Sequence, residues 1–135
     1  MNYYTRKIVT HKDLNLNETL FGGRLLEWID EAASIYCLST LNTKLPKRLV
    51  TKSMSKVEFH STSARGDIIE IGIETTKLGY SSISIKCEVR NLHTKKLITS
   101  VDEIVFVNIN EKGKPSPHGV RTVSYTHLRA HETVV

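Results

Sequence analysis

Three consecutive segments in the second half of the chain alternate apolar residues with polar or small ones. They cover residues 67–77, 83–89 and 97–109, and only short polar turns separate them. Alternation with a period of two puts one set of side chains in a core and the other in water, as in a β-strand. Turns this short cannot contain the crossover that parallel neighbours need, so the pattern predicts an antiparallel sheet.

The first half of the chain predicts two further strands and one helix. Residues 3–10 and 50–59 are rich in β-branched and aromatic residues, and the alternation of the second segment slips between Met54 and Val57, which indicates a bulge. A helix is predicted over residues 23–40, and Pro46 in the polar segment that follows prevents its continuation. One helix with an antiparallel sheet makes an α+β domain.

Apolar residues cover more than half the circumference of the predicted helix. At 100° per residue this apolar arc contains Leu25, Leu26, Trp28, Ile29, Ala32, Ala33, Ile35 and Tyr36. The polar strip is narrow, so the helix is expected to be largely buried with the sheet curled around it. Asp30 lies where the arc meets the strip. That position suits a solvated acid beside Glu27 and Glu31, whereas a buried carboxylate there would be costly and would indicate a function.

Length, charge and cysteine content narrow the class of protein. A chain of 135 residues suits one domain, and no apolar run approaches the length of a membrane span or a signal-peptide core, so a cytoplasmic protein without membrane contact is expected. Cys37 and Cys87 are expected to be buried thiols, and the six histidines show no spacing that predicts a metal ion. The net charge of +5 fits an anionic ligand such as a CoA ester or nucleic acid. No DNA-reading segment is present, so nucleic-acid binding is not expected.

Several short motifs together resemble one family. They are NETLFGGRLLEWIDEAA at 17–33, LVT at 49–51, VEF at 57–59, GDII at 66–69, GYSSISIKCEV at 79–89, FVNIN at 106–110 and GKP at 113–115. In this order the motifs are similar to the hot-dog-fold acyl-CoA thioesterases, in particular the cytosolic acyl-CoA hydrolase group. The resemblance implies a long central helix wrapped by a bent antiparallel sheet over residues 1–121. Residues 122–135 depart from the family pattern and are interpreted as a non-native or disordered tail.

The resemblance also implies a reaction and its catalytic residues. The reaction is hydrolysis of an acyl-CoA thioester to free CoA and a carboxylate, with no cofactor beyond the CoA of the substrate. Asp30 is expected to act as general base on water or as nucleophile, and Asn17 to reach the site of a neighbouring subunit. Gly22 and Gly23 are expected to present helix N-terminal N–H groups to the thioester carbonyl. A homodimer joined edge to edge by its sheets is expected, assembled further into a trimer of dimers.

The residues that would hold CoA are less sharply defined. Gly79, Ser81 and Ser82 are candidates for the pantetheine arm or the diphosphate, although a hairpin turn also needs glycine and small polar residues. Lys114, with Arg90 and Lys56 as weaker candidates, can pair with CoA phosphates, whereas a solvated face explains any single lysine equally simply.

Two other functions remain open at this stage. One is a non-catalytic acyl-CoA-binding sensor, which the positive charge permits. The other is a hot-dog hydroxyacyl dehydratase, whose chemistry usually needs a histidine paired with an acid. No histidine lies in or near the motif at 17–33.

Overall fold

The computed structural model describes residues 1–120 of the chain. It consists of β1 (Asn2–Ile8), a short 3₁₀ turn (His11–Asp13), α1 (Gly22–Thr40), β2 (Leu49–Phe59), β3 (Ile68–Leu78), β4 (Ser82–Asn91) and β5 (Leu97–Asn108). The predicted α+β class and element order are confirmed, and the strand ends differ from the predicted ones by at most two residues. The interpretation of residues 122–135 as a tail lies outside the described residues.

The five strands form one sheet in the order β1-β3-β4-β5-β2, and every neighbouring pair is antiparallel. Strands β3, β4 and β5 are joined by tight turns, as their alternation predicted. In the described chain β1 and β2 are the edge strands, and each pairs with only one neighbour. The 11-residue β2 therefore leaves one long row of backbone N–H and C=O groups without a strand partner.

One face of α1 packs on one face of the sheet. Leu25, Ile29 and Ala33 of the helix join alternate residues of β3 and β4, such as Ile71 and Ile85, in a single buried cluster. The two cysteines belong to the same cluster as free thiols, as predicted. Burial raises the pKa of each thiol to about 12, so neither is a reactive thiolate near neutral pH.

Two local expectations are wrong. The helix is not buried around most of its circumference, because a single sheet covers one side only, and Ile35 is 59% exposed in the protomer. The register shift of β2 lies between Thr51 and Ser53 rather than between Met54 and Val57. Within the expected interval the strand is irregular in a different way, since Lys56 has a left-handed φ of 53°.

The sheet face turned away from α1 carries a buried carboxylate surrounded by cations. Glu70 of β3 is 2% exposed and accepts from Arg90 Nε at 2.6 Å and Lys95 Nζ at 3.2 Å, and Arg6 Nε lies 3.7 Å away. Burial disfavours the charged carboxylate, but the two hydrogen bonds and the cationic charge outweigh this, so the pKa of Glu70 lies below its ordinary value. The cluster ties together β1, β3 and β4.

Candidate active site

The start of α1 is held in place by one buried acid. Asp13 Oδ2 accepts hydrogen bonds from the backbone N–H and the hydroxyl of Thr10, and its backbone oxygen accepts from Phe21 N–H. Arg24 Nε, in the first turn of the helix, lies 3.1 Å from Asp13 Oδ1. Burial disfavours the charged form, yet these hydrogen bonds and the Arg24 charge lower the pKa of Asp13 below its ordinary value. The segment before α1 is therefore tied to the helix itself.

A second asparagine shapes the loop that carries Asn17. Asn15 Oδ1 accepts hydrogen bonds from the N–H groups of Asn17 and Thr19, at 2.8 and 3.1 Å. The backbone pairs Asn15 N–H with the Thr19 oxygen, and Glu18 has a left-handed φ of 64°. This compact loop leaves Asn17 exposed, so its side chain is available to a group outside the protomer.

The two glycines begin α1 as its first two residues. Phe21 is the N-cap and has no side-chain cap, and the first helical hydrogen bond runs from Leu25 N–H to the Phe21 oxygen. Within the described chain the N–H groups of Gly22 and Gly23 have no acceptor, as expected for the first turn of a helix. A Cβ on Gly23 would lie 2.7 Å from the Phe21 ring, so any larger residue there would displace that ring.

Asp30 lies about two turns, or roughly 10 Å, further along the same helix. It is half-buried, and its Oδ1 accepts a hydrogen bond of 2.8 Å from Thr51 Oγ1 on β2. The carboxylate is thus neither fully solvated nor sealed in the core. A half-buried acid with an oriented oxygen and open solvent on one side can bind a water molecule and take a proton from it.

A cavity of about 230 Å³ opens beside the helix N-terminus. Its walls come from the loop before α1, the first turn of the helix and the segment that follows β2; they are Asn15, Thr19, Leu20, Gly22, Leu25, Phe59, Ser61, Thr62, Ser63 and Ile98. Because Gly22 forms part of the wall, a molecule in this cavity lies against the start of the helix. The arrangement can hold a carbonyl group near unpaired N–H donors.

The structure brings together only part of the predicted site. Asp30, Gly22 and Gly23 lie on one helix, and Asn17 lies on the loop that leads into it. Gly79 and Ser82 instead close the β3–β4 hairpin through a bond from Gly79 N–H to the Ser82 oxygen, and a Cβ on Gly79 would clash with Ser82 Oγ. The adjacent Ser81 accepts Asn108 N–H through its backbone oxygen. These contacts give the three residues a structural role in the hairpin turn.

The three basic residues predicted to bind the CoA phosphates differ in the side chains that they contact. The Arg90 guanidinium is bound to Glu70 and stacks on the Tyr3 ring at 3.7 Å, on the sheet face opposite α1. No ion pair within residues 1–120 involves Lys56 or Lys114, and both are exposed. Of the three, only the two lysines have charge available for a phosphate.

Three residues near the site were missed by the sequence reasoning: Asp13, Thr51 and Ser63. The contact between Thr51 and Asp30 spans 21 residues of sequence and joins two different elements, so no local pattern indicates it. The capping-box spacing from Thr10 to Asp13 could have been found, because a hydroxyl residue followed three positions later by an acid is a known local signal.

Comparison with known proteins identifies the family to which this chain belongs. The family model of the Thioesterase superfamily matches residues 17–98, which include the Asn17 loop, all of α1 and β2. Over 108 residues, or 78% of this chain, the sequence is 30% identical to an uncharacterized acyl-CoA thioester hydrolase of Bacillus subtilis (strain 168). The match spans 60% of that relative's length.

Two solved structures resemble the chain over most of its length. A hexameric thioesterase from Yersinia pestis has a TM-score of 0.75 at 25% identity, covering 86% of this chain and 93% of that one. A hexameric hotdog fold thioesterase of Campylobacter jejuni has a TM-score of 0.69 at 29% identity, covering 84% and 86%. The fold is therefore the hot-dog fold, which confirms the fold that the sequence motifs implied.

Proposed function

The chain belongs to the Thioesterase superfamily, and on that premise we propose that it hydrolyses acyl-CoA thioesters to free CoA and a carboxylate. The observation that carries this proposal is the pairing of a half-buried, oriented carboxylate, Asp30, with unpaired N–H groups at the start of the same helix. The similarity to an acyl-CoA thioester hydrolase supports the choice of substrate.

In the proposed reaction Asp30 acts as the general base. Its carboxylate takes a proton from water as the water oxygen attacks the thioester carbonyl carbon. Thr51 donates to one carboxylate oxygen, which leaves the other oxygen to face the water. A nucleophilic Asp30 would instead form an acyl anhydride with release of the CoA thiolate. Attack of water on the Asp30 carbonyl of that anhydride in ¹⁸O-water would label the Asp30 carboxylate in a single turnover, which general-base catalysis cannot do.

The helix N-terminus stabilises the oxyanion in this scheme. Attack moves negative charge onto the carbonyl oxygen, and the N–H groups of Gly22 and Gly23, with the positive end of the helix dipole, favour that charge. Collapse of the tetrahedral intermediate breaks the C–S bond and expels the CoA thiolate, which takes up the proton that Asp30 removed. A thiolate leaves readily, because thiols have a pKa of about 8.5, so no separate strong acid is needed.

The site is proposed to be shared between subunits. Thr51, which bonds Asp30, belongs to β2, and the outer edge of β2 has no strand partner. Pairing of this edge with β2 of a second protomer would therefore bring that protomer beside Asp30. Exposed Asn17 of one chain would then complete the site around Asp30 of the other. The Yersinia and Campylobacter proteins are described as hexameric, which supports further assembly into a trimer of dimers.

The proposed CoA contacts follow the available charge. Lys56 and Lys114 are the better candidates for the CoA phosphates, and Arg90 is a weaker one because Glu70 already holds its guanidinium. The hydroxyl groups of Ser81 and Ser82 can bind the pantetheine arm in addition to their structural role, whereas Gly79 can contribute only close approach, because its N–H is bound to the Ser82 oxygen.

The decisive experiment measures thiol release from acetyl-, butyryl- and octanoyl-CoA with Asp30→Asn. The isosteric amide cannot take the proton, so kcat should fall about 10²- to 10⁴-fold while the fold persists. Glu31→Gln is the matched control, since this exposed neighbour on the same helix should tolerate the change.

Near-normal turnover by Asp30→Asn would discard the assignment of the base. Tight acyl-CoA binding by the unmodified protein without thiol release would favour the sensor, and loss of water from a hydroxyacyl-CoA would favour the dehydratase. No histidine lines the cavity at the helix start, which argues against the dehydratase.

A further inference from the structure

One wall of the cavity at the helix start contains a buried hydroxyl without a hydrogen-bond partner. Ser63 is 2% exposed, and no described residue bonds its Oγ. Its backbone oxygen accepts Leu20 N–H at 2.8 Å, which holds Ser63 beside the chain two residues before Gly22. A buried hydroxyl left unpaired costs about 1–3 kcal/mol. Ser63 also lines the cavity, and rotation of its side chain about χ1 would turn the hydroxyl towards a group bound there.

The other polar side chains of this wall are already paired or exposed. Ser61 Oγ donates to the Leu97 oxygen at 2.7 Å, and Asn15 and Thr19 bond each other. Thr62 is exposed. Within residues 1–120 the other buried unpaired hydroxyl is that of Thr99, which is not part of the wall. Ser63 is therefore the one residue of this cavity whose buried polar atom lacks a partner.

The chemistry of the wall limits what can occupy the cavity. None of its ten residues is charged, and Leu20, Leu25, Phe59 and Ile98 supply apolar surface. A carboxylate or ammonium group would be desolvated there without a counter-charge, which is unfavourable. A cavity of 150 Å³ holds benzene, so about 230 Å³ has room for a short acyl group of roughly six carbons.

We propose that Ser63 is a substrate-binding residue that selects short, uncharged acyl groups carrying a hydroxyl or oxo oxygen. The inference rests on the proposed thioesterase function. With the thioester carbonyl at the Gly22 and Gly23 N–H groups, the acyl group extends into the cavity, and its additional oxygen hydrogen-bonds Ser63 Oγ. The serine hydroxyl can donate to an oxo group and can either donate to or accept from a hydroxyl.

The test compares kcat/KM for three acyl-CoA esters of equal chain length: butyryl-CoA, 3-hydroxybutyryl-CoA as each enantiomer, and acetoacetyl-CoA. The unmodified protein should prefer one of the oxygenated esters over butyryl-CoA by about tenfold, the value of one hydrogen bond that would otherwise be missing. Comparison of the 3-hydroxybutyryl and acetoacetyl esters shows whether a hydroxyl or an oxo oxygen is recognised. Succinyl-CoA, whose carboxylate has no counter-charge in the cavity, should be the poorest substrate of similar size.

Two variants separate binding from folding. Ser63→Ala removes the unpaired hydroxyl and should reduce the preference about tenfold, to near unity, without lowering the melting temperature. Ser61→Ala is the matched control in the same wall, and it should leave the preference unchanged because its hydroxyl already bonds the Leu97 oxygen.

Each outcome has a distinct meaning. Hydrolysis of all esters without a preference, or a Ser63→Ala variant that slows all of them equally, overturns the inference and leaves the thioesterase proposal intact. A fall in melting temperature with an unchanged preference would assign Ser63 a structural role and also overturn the inference. Failure to hydrolyse any ester would reject the proposed function itself.

Discussion

At the scale of single residues, the carboxylate proposed as the general base accepts a hydrogen bond from a hydroxyl of a different element. Asp30 belongs to α1 and Thr51 to β2, and the bond of 2.8 Å between them crosses from the helix to the edge strand. Fixing one carboxylate oxygen reduces the rotational freedom of the side chain and directs the second oxygen. If Asp30 is the base, as proposed, this positioning would raise the rate because the carboxylate is already oriented when water arrives.

This arrangement makes a prediction about Thr51. Thr51→Val keeps the shape of the side chain but removes the donor, so kcat for acyl-CoA hydrolysis should fall about tenfold with little change in KM. Thr51→Ser retains the hydroxyl and should keep most of the activity. Equal activity of the Val and Ser variants in steady-state thiol-release assays would mean that the hydrogen bond does not position the base.

At the scale of elements, the start of α1 is stabilised by the segment before it rather than by a side-chain cap. The N-cap is Phe21, which offers no capping oxygen. Asp13 compensates by accepting Thr10 N–H and hydroxyl, pairing with Arg24 and receiving Phe21 N–H on its backbone oxygen. Leaving the first helical N–H groups free suits a helix start that binds a carbonyl oxygen.

The buried acids predict a particular dependence of stability on pH. The pKa values of Asp13 and Glu70 lie below their ordinary values in the folded chain, so both stabilise the fold above those ordinary values. This stabilisation is lost as the pH falls from about 5 towards 2 and the carboxylates take up protons. Melting temperatures measured between pH 7 and pH 3 should therefore decrease towards acid.

The Asp13→Asn variant separates this contribution from general acid destabilisation. It should melt lower than the unmodified protein at pH 7 and show a shallower decrease towards pH 3. Glu111→Gln, a change at an exposed turn residue, is the control and should reproduce the unmodified profile. An Asp13→Asn profile parallel to the unmodified one would contradict a native-state role for the ionised carboxylate.

At the scale of the whole molecule, the described protomer leaves two surfaces without a partner. The outer edge of β2 has no strand beside it, and Ile35 and Leu38 of α1 are 59% and 45% exposed. An exposed strand edge and apolar side chains on the same protomer are normally covered by association. Asp30 bonds Thr51 of this edge strand, and Asn17 is exposed, which fits a site completed by a second copy of the chain.

Subunit mixing tests the shared site directly. Asn17→Ala and Asp30→Ala proteins should each be inactive, whereas a mixture that exchanges subunits forms hybrid dimers with one intact site. Random pairing at equal amounts should restore about a quarter of the unmodified activity. The Asn17→Ala protein mixed with itself is the control. Subunit exchange demonstrated by mass spectrometry without any recovery of thiol release would place both residues in the same protomer's site.

No described helix is long and apolar enough to cross a membrane. This finding agrees with the lack of any apolar run of that length in the sequence. The cytoplasmic location itself stays a prediction.

The sequence alone determined the order and type of the elements. The alternation of 67–77, 83–89 and 97–109 and the apolar arc of 23–40 are local patterns, because each residue's burial follows from the period of its own strand or helix. The roles expected for Asp30 and the glycine pair came from the resemblance of the motif at 17–33 to a known family, and all three residues lie on one helix.

Only the tertiary structure decided which residues from different elements meet. The Thr51 bond to Asp30 joins the helix to an edge strand whose register shift the alternation misplaced. The Glu70 ion pair that holds Arg90 depends on the β3–β4 register, which places the two residues opposite each other. Ser63 could be identified as a candidate substrate-binding residue only from the folded structure, in which it lines the cavity. Such contacts depend on strand register and on packing between distant segments, and a shift of one residue would change every one of them.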